Sequence, residues 1–325
     1  MKEEILQMLK SRPDFISGQD LCEYFKVSRT AVWKVIGQLK NEGYEIEAVN
    51  RKGYRLVSSP DILSASEIIS GLTTKTMGRE VHCYEELGST NDQGRMLAEQ
   101  GAPDGTLVIA EMQNAGKGRM GRKFFAPPGS GIWMSLILKP EIPPVDASMI
   151  TLIGAMAVQK TLKSFDLDSG IKWPNDLVID RKKVTGILTE MSAGPDQVNY
   201  IVIGIGINVN MKSFPEELKE NAISMAMASG KNYHRAEIIQ QVMKNFEDTY
   251  RIFLKEGSLA FLQKDYNESL VHMNKEISVH EIRRVWKGIS RGIDERGELI
   301  VSTEDGDTLV RSGEVSIRGI YGYAE

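Results

Sequence analysis

The sequence predicts a multidomain α+β protein with three parts. These are a small helical unit with a β-wing, a central α/β domain on a mixed sheet, and a small terminal β-barrel. Three observations support this. Apolar residues recur at helical spacing through residues 5–39. Strand-like apolar runs then alternate with helical segments over 81–256. Over 279–323 the pattern changes to short alternating strands with turn signals at Asp294-Glu295-Arg296-Gly297 and Glu304-Asp305-Gly306-Asp307. A chain of 325 residues is long enough for two or three domains, each with its own core.

In the first part, expected over 1–58, Ile5, Leu6 and Leu9 make one helical face. Ser17 caps a second helix whose apolar positions are Leu21, Cys22, Tyr24 and Phe25. A break at Val27 leads to Ser28, which caps a third helix carrying Val32, Val35, Ile36 and Leu39. Two short helices joined by a tight turn, between about Glu23 and Glu42, predict a helix-turn-helix. Its exposed start offers Ser28, Arg29, Thr30 and Lys34 to nucleic acid, and a following hairpin carries Arg51 and Lys52 at its tip. Residues 57–61 read as a polar linker, and the central domain is expected over 62–270. Its clearest helices are predicted at 91–101, 147–165 and 235–256, and its strands at 81–84, 106–110, 132–138, 177–179, 187–190 and 200–209. The barrel is expected over 271–325.

The net charge of −4 argues against a protein coated in nucleic acid, while a local basic reader is allowed. Cys22 and Cys83 fall in different predicted domains, as free thiols of a reducing cytoplasm would. The charged start has no apolar leader, and no apolar run suits a membrane span, so a soluble cytoplasmic protein is expected.

The most informative stretch is Gly116-Lys117-Gly118-Arg119-Met120-Gly121-Arg122. Glycines let a ligand approach the backbone, and the interleaved cations supply charge to an anion. It is not a dinucleotide fingerprint, because Pro127, Pro128 and Gly129 follow where a helix would have to open. No Walker A pattern occurs. Three further polar clusters punctuate the central domain: Gly88-Ser89-Thr90-Asn91, then Lys172-Trp173-Pro174-Asn175-Asp176 with the basic turn Arg181-Lys182-Lys183 and Gly186, then Gly204-Ile205-Gly206-Ile207-Asn208. Gln113 precedes the glycine–cation loop, and the four histidines stand outside all the clusters in sequence. Cations from two loops, one carboxylate and no nucleophile–histidine pairing suit phosphoryl or nucleotidyl transfer. There, fixed charge must bring two anions together, and Asp176 is a candidate Mg²⁺ ligand.

With these motifs in this order and spacing, the chain resembles the bacterial bifunctional biotin–protein ligases that also repress the biotin operon. The resemblance spans all three parts. It implies a winged helix-turn-helix, a biotin-ligase catalytic domain and an SH3-like barrel. It also implies a two-step reaction in which biotin and ATP give biotinyl-5′-AMP, and a lysine of a biotin carboxyl carrier protein then takes the biotin. For the biotin side it implies Ser89, Thr90, Asn91, Gln113, Lys117, Gly118, Arg119, Lys183, Gly186, Gly204 and Gly206. For the nucleotide side it implies Lys117, Arg119, Arg122, Phe124, Lys172, Asn175, Asp176, Lys183 and Asn208, with Lys183 and Arg119 as the catalytic charges. Biotinyl-5′-AMP as corepressor, a homodimer and operator DNA complete the implied set. Lys117 stands where the family often has arginine, and lysine cannot form a bidentate fork. Phe124 stands where tryptophan is familiar. A lipoate–protein ligase and a ligand sensor with an inactive ligase domain are the competing readings. The first lacks its R-R-x-S-G-G-type loop here, and the second is opposed by intact Lys183 and Arg119.

Overall fold

The computed structural model describes residues 1–281, 284–312 and 316–319. Two compact units are present: 1–73 with 234–240, and 74–233 with the residues from 241 onward.

The first unit begins with α1 (Lys2–Ser11), α2 (Gly18–Phe25) and α3 (Arg29–Asn41). Ser17 Oγ accepts from the Gln19 N–H and Ser28 Oγ from the Ala31 N–H, so both predicted caps are made. Ile5, Leu6, Leu9, Leu21, Val32, Val35, Ile36 and Leu39 share one core, as their spacing requires. Tyr24 does not join it. Its side chain is 69% exposed, because α2 turns Leu21 inward and leaves this position outside the apolar stripe. β1 (Glu45–Val49) and β2 (Gly53–Ser58) pair antiparallel as the wing. Arg51 adopts φ 66° in its turn, and Gly53 adopts φ 108°, where a Cβ would lie 1.9 Å from the Ile16 carbonyl oxygen.

α4 (Ala65–Gly71), capped by Ser64, packs beside α1 and groups with this unit. Glu67 of α4 is buried and takes hydrogen bonds from Lys10 Nζ and Tyr44 OH. The segment expected to be a plain polar linker is also tied down, since Asp61 accepts from the Arg235 backbone N–H at 2.9 Å and from Arg235 Nε at 3.0 Å. A carboxylate so placed is ordinary by composition, and only its partner 174 residues away makes it structural.

In the second unit a seven-stranded sheet forms the frame. Its members are β3 (Val81–Leu87), β4 (Leu107–Gln113), β5 (Gly131–Leu138), β6 (Gly170–Lys172), β7 (Asp176–Ile179), β8 (Lys182–Ala193) and β9 (Val198–Asn208). The order is β3-β4-β5-β9-β8-β7-β6, with β3 and β4 parallel and every other pair antiparallel, so the sheet is mixed as expected. α5 (Thr90–Glu99) and α6 (Ser148–Ser164) are both present. α6 is apolar nearly all round and correspondingly buried. At Gly154 an added Cβ would lie 2.6 Å from Ile203 Cδ1, so this glycine lets α6 cross β9 closely. α7 (Met225–Ser229), α8 (Arg235–Glu256) and α9 (Gln263–Ser269) follow. The start of α8 groups with the first unit and the rest with the second.

The chain closes with β10 (Glu276–His280), β11 (Val285–Ile293), β12 (Leu299–Thr303), β13 (Gly306–Val310) and β14 (Ser316–Gly319). They form an antiparallel sheet in the order β13-β12-β11-β10-β14. That is the expected terminal β-sheet domain. The pairings among the described residues form an open order, and closure into a barrel is not among them. The tail of the predicted barrel beyond residue 319 lies outside the described residues.

Candidate active site

The four sequence clusters converge on one face of the seven-stranded sheet, at the ends of β5, β8 and β9 and the start of α5. Two cavities lie there, and they share Gly118, Arg119, Phe124, Asn175, Lys183 and Gly186. The smaller, of about 50 Å³, is lined by Ser89, Thr90, Asn91, Gln113, Lys117, Gly118, Arg119, Lys183, Gly186, Gly204 and Gly206. Every residue of the expected biotin set is therefore present at one cavity. The larger, of about 240 Å³, is lined by Arg119, Arg122, Phe124, Lys172, Asn175, Asp176, Lys183 and Asn208, with apolar walls that include Phe214 and Leu218. Of the expected nucleotide set, only Lys117 borders the smaller cavity alone.

The smaller cavity is pre-organised by hydrogen bonds. Gln113 Oε1 accepts from the Thr90 backbone N–H at 2.7 Å and from its hydroxyl at 3.1 Å. Buried Ser135 donates towards Thr90 Oγ1 and Asn91 Oδ1 at 2.8 and 2.6 Å, a shared proton that fixes both side chains. The Asn91 amide donates to Glu190 Oε2 at 2.7 Å and to the Leu188 carbonyl at 3.2 Å. Both ends of the Asn91 amide are thus held by protein, which makes it a wall as much as a donor to a guest. Ser135 and Glu190 escape a reading of the sequence. Each lies in an otherwise regular strand, and no local pattern marks a serine or glutamate that will face a helix start.

The floor consists of glycines. Gly186 of β8 pairs with Gly206 of β9, and Gly204 lies beside them. A Cβ on Gly204 would lie 2.2 Å from Asn91 Oδ1, and one on Gly206 would lie 2.5 Å from the Phe124 ring. Phe124 sits over this floor, edge-on to buried Trp133 at 5.6 Å between centroids. Close approach of another part of the chain is what these strand glycines permit.

The cations enter from two sides. Lys183 Nζ contacts Asp176 Oδ1 at 2.6 Å and stands 6.0 Å from the Phe124 ring centre. The β7–β8 register shifts at Leu177/Val178, a bulge that re-aims side chains beside Lys183 at the start of β8. Asp180 and Arg181 both have positive φ and make the hairpin turn. Of the expected basic turn, Lys182 and Lys183 are therefore already strand residues. Arg119 Nη1 donates to Asn175 Oδ1 at 2.9 Å. Burial lowers the Arg119 pKa, with Asp176 opposing and Arg122 reinforcing the change. Arg119 is thus a partly desolvated cation, which strengthens its pull on an anion. Lys117 at the rim is paired with Asp92 at 2.7 Å. The loop itself is folded, with the Gly118 N–H donating to the Arg122 carbonyl at 2.7 Å and Lys117 bridged to Lys123. Asn208 is buried and donates to the Lys183 carbonyl at 3.3 Å and the Ile223 carbonyl at 3.1 Å, so it holds the strand that presents Lys183.

One expectation needs correction. The histidines stand apart from the clusters in sequence, but His272 Nε2 accepts from the Trp173 backbone N–H at 3.2 Å. The 99 residues between them hide the contact from any local reading. Among the described residues no group of three or more His, Cys, Asp or Glu side chains is placed to hold a metal ion. Asp176 is the one carboxylate lining the larger cavity among the described residues. Such a donor set fits Mg²⁺ only as an ion arriving on a polyphosphate, since Mg²⁺ retains waters and takes one or two carboxylates.

In the first unit, Arg29, Thr30, Lys34, Arg51 and Lys52 are exposed. Ser28 spends its hydroxyl oxygen on the cap, and Arg29 Nη2 donates to Gln19 Oε1 at 3.0 Å. Lys52 stands 5.9 Å from the Phe15 ring centre. Trp33, 67% exposed on the same helix as Arg29 and Lys34, belongs to this surface and is an addition to the expected set. Its exposure places it one step off the Val32–Val35–Ile36 stripe. No helix among the described residues is long and apolar enough to cross a membrane.

Comparison with known proteins gives a consistent picture. The biotin/lipoate A/B protein ligase family matches residues 85–208, an HTH domain matches 2–55, and the biotin protein ligase C terminal domain matches 272–318. The chain is 40% identical to the bifunctional ligase/repressor BirA of Bacillus subtilis, over 98% of this chain and 98% of that protein. It is 30% identical to the protein of the same name from Escherichia coli, over 95% of each. Among solved structures it is similar to the biotin protein ligase from Aquifex aeolicus in complex with biotin and ATP. That match has a TM-score of 0.66 and 28% identity, and covers 74% of this chain and 99% of that one.

Proposed function

Because the chain belongs to the family of bifunctional ligase/repressors named BirA, we propose that it activates biotin with ATP, transfers it to a carrier protein, and represses biotin genes when bound to the activated intermediate. The observation that carries the enzymatic half is the junction of the two cavities, where Arg119 and Lys183 border both. A carboxylate in the smaller cavity and an α-phosphate in the larger would meet at that junction between two cations.

In the first step a biotin carboxylate oxygen bonds to the α-phosphorus of ATP, the bond to the bridging oxygen breaks, and pyrophosphate leaves. Ser89, Thr90, Asn91 and Gln113 form the wall for the biotin head group. Lys117, Gly118 and Arg119 clamp the carboxylate and phosphate. Lys183, released from Asp176 by the incoming anion, stabilises the charge that builds on the phosphate oxygens. Arg122, Lys172, Asn175 and Asn208 line the nucleotide side, with Phe124 against the adenine. Mg²⁺ carried in by the nucleotide and held by Asp176 would neutralise phosphate charge. In the second step the amine of a carrier lysine attacks the carbonyl of biotinyl-5′-AMP, AMP leaves with the bonding electrons, and the amine proton passes to solvent.

The first unit carries the regulatory half. Arg29, Thr30, Trp33 and Lys34 face operator DNA, and Arg51 and Lys52 of the wing face its backbone. The adenylate-bound chain acts as a homodimer, whose two-fold symmetry demands a palindromic site. We assign the three domains to 1–58, 62–270 and 271–325, and the protein to the cytoplasm. The test combines both halves. Full-length protein with ATP, Mg²⁺, biotin and a biotin carboxyl carrier domain should add one biotinyl group to a carrier lysine. Removing 1–58 should abolish the shift of biotin-gene operator DNA and leave some ligation. A truncated protein that still shifts the operator contradicts the winged-helix assignment, and an unmodified carrier contradicts the ligase assignment.

A further inference from the structure

We propose that His272 is a positioning residue for adenylation: as a neutral acceptor for the Trp173 N–H, it sets the backbone from which Asn175 and Asp176 hold Arg119 and Lys183. The inference rests on the adenylation reading above, and its test separates the two.

The Lys172–Asp176 corner is pinned from two sides. On the sheet side, the Ile187 N–H donates to the Asn175 carbonyl at 2.8 Å and the Asn175 amide donates to the Ile187 carbonyl at 3.0 Å. On the other side, the partners come from residues after α9. The Trp173 backbone N–H reaches His272 Nε2 at 3.2 Å, and Trp173 Nε1–H donates to the Gly297 carbonyl at 3.1 Å. Trp173 is buried, and His272 is only 2% exposed. A backbone N–H can only donate, so Nε2 must carry the lone pair and Nδ1 the proton. Nδ1 lies 2.9 Å from Ser290 Oγ, and Ser290 is fully buried in β11. The Trp173 N–H thus fixes the tautomer, and Ser290 Oγ accepts from the Nδ1–H and anchors the ring. Two residues on from Trp173, Asn175 accepts from Arg119 at 2.9 Å, while Asp176 meets Lys183 at 2.6 Å. A protonated ring has no lone pair to offer Trp173. The surroundings keep it neutral, since burial, with Lys172 and Lys275 reinforcing, lowers its pKa to about 4. Nothing in this chain of contacts touches Ser89, Thr90 or Gln113, so that wall of the biotin cavity is held independently, while Arg119, Asn175 and Lys183 border both cavities.

The test compares His272→Leu, which cannot accept, with His272→Gln, whose carbonyl can reach the Nε2 position, both in the full-length protein. Pyrophosphate release with ATP, Mg²⁺ and biotin is measured for kcat and for KM of biotin. His272→Leu should lower kcat by about 10²-fold, as displaced catalytic groups do, with a much smaller change in KM for biotin because Ser89, Thr90 and Gln113 stay in place. His272→Gln should restore kcat to within a few-fold of the wild-type value. A folded His272→Leu with wild-type kcat, or a His272→Gln as impaired as the leucine variant, overturns the proposal. If His272→Leu does not fold, Ser290→Ala probes the same contact by removing the acceptor that anchors the Nδ1–H of the ring: a severalfold fall in kcat supports the proposal and an unchanged kcat overturns it. Absence of pyrophosphate release by the wild-type protein would instead overturn the adenylation reading itself.

Discussion

Gly204→Ala adds one methyl group at a point where the fold leaves no room for it. The backbone there is ordinary strand, so the cost is steric. The new Cβ would lie 2.2 Å from Asn91 Oδ1 and 3.0 Å from its Cγ. A long flexible side chain could swing away, but the Asn91 amide is locked by Ser135 at 2.6 Å, Glu190 at 2.7 Å and the Leu188 carbonyl at 3.2 Å. Displacing it forfeits up to three hydrogen bonds, each worth about 1 kcal/mol net, with the bond to the glutamate at the upper end. Overpacking adds about 1–3 kcal/mol unless the amide leaves completely. A loss of about 2–4 kcal/mol is expected when these are combined without double counting. The assay is urea unfolding of the full-length protein, with Gly206→Ala as comparator and biotin affinity as a second readout. At Gly206 the obstructing atoms are those of the Phe124 ring, which can move, so a loss below about 1 kcal/mol is expected there. Equal stability of the two variants, with Gly204→Ala binding biotin normally, would refute the account of the locked Asn91 wall.

Other consequences follow from the same geometry. Lys183→Ala should lower the rate of pyrophosphate release by about 10²–10³-fold, the effect of losing one donor aimed at developing charge, while the melting temperature moves little; a normal rate contradicts its role. For His272, the folded pKa of about 4 lies below the unfolded value of about 6.5, so the unfolded chain binds the extra proton between them. Stability should therefore fall as pH drops from 6.5 towards 4, by up to about 3 kcal/mol, and denaturation curves of His272→Gln should lack that part of the slope. Lys34→Ala should weaken binding to biotin-gene operator DNA and reduce the slope of log affinity against log salt by about one; an unchanged slope removes Lys34 from the phosphate contacts.

Much of the fold is legible in the sequence because the information is local. The helix faces of Ile5–Leu9 and Val32–Leu39, the serine caps and the glycines of β9 are each set by neighbours within a turn or a strand pair. The glycine–cation loop is legible by what it lacks, since prolines where a helix should begin exclude a dinucleotide site. What stays hidden depends on distant partners. Glu190 and Ser135 matter only because strands β8 and β5 carry them to Asn91, and Glu67 only because α4 returns to Lys10 and Tyr44. Tyr24 misleads for the opposite reason, because an aromatic in an amphipathic helix suggests a core position until the neighbouring helix fixes which face is covered. The basic turn at Arg181 is shorter than its composition suggests. Two lysines look like loop, while positive φ at Asp180 and Arg181 shows where the chain actually reverses.

The central claim is that Arg119 and Lys183 join a biotin carboxylate in one cavity to a nucleotide phosphate in the next. The most direct measurement is incubation of the full-length protein with ATP, Mg²⁺ and equal amounts of biotin and lipoate, followed by mass detection of the acyl-adenylate. Biotinyl-5′-AMP as the dominant product, lost in Lys183→Ala, is the predicted result. Lipoyl-adenylate as the dominant product, or no adenylate from the wild-type protein, would contradict it.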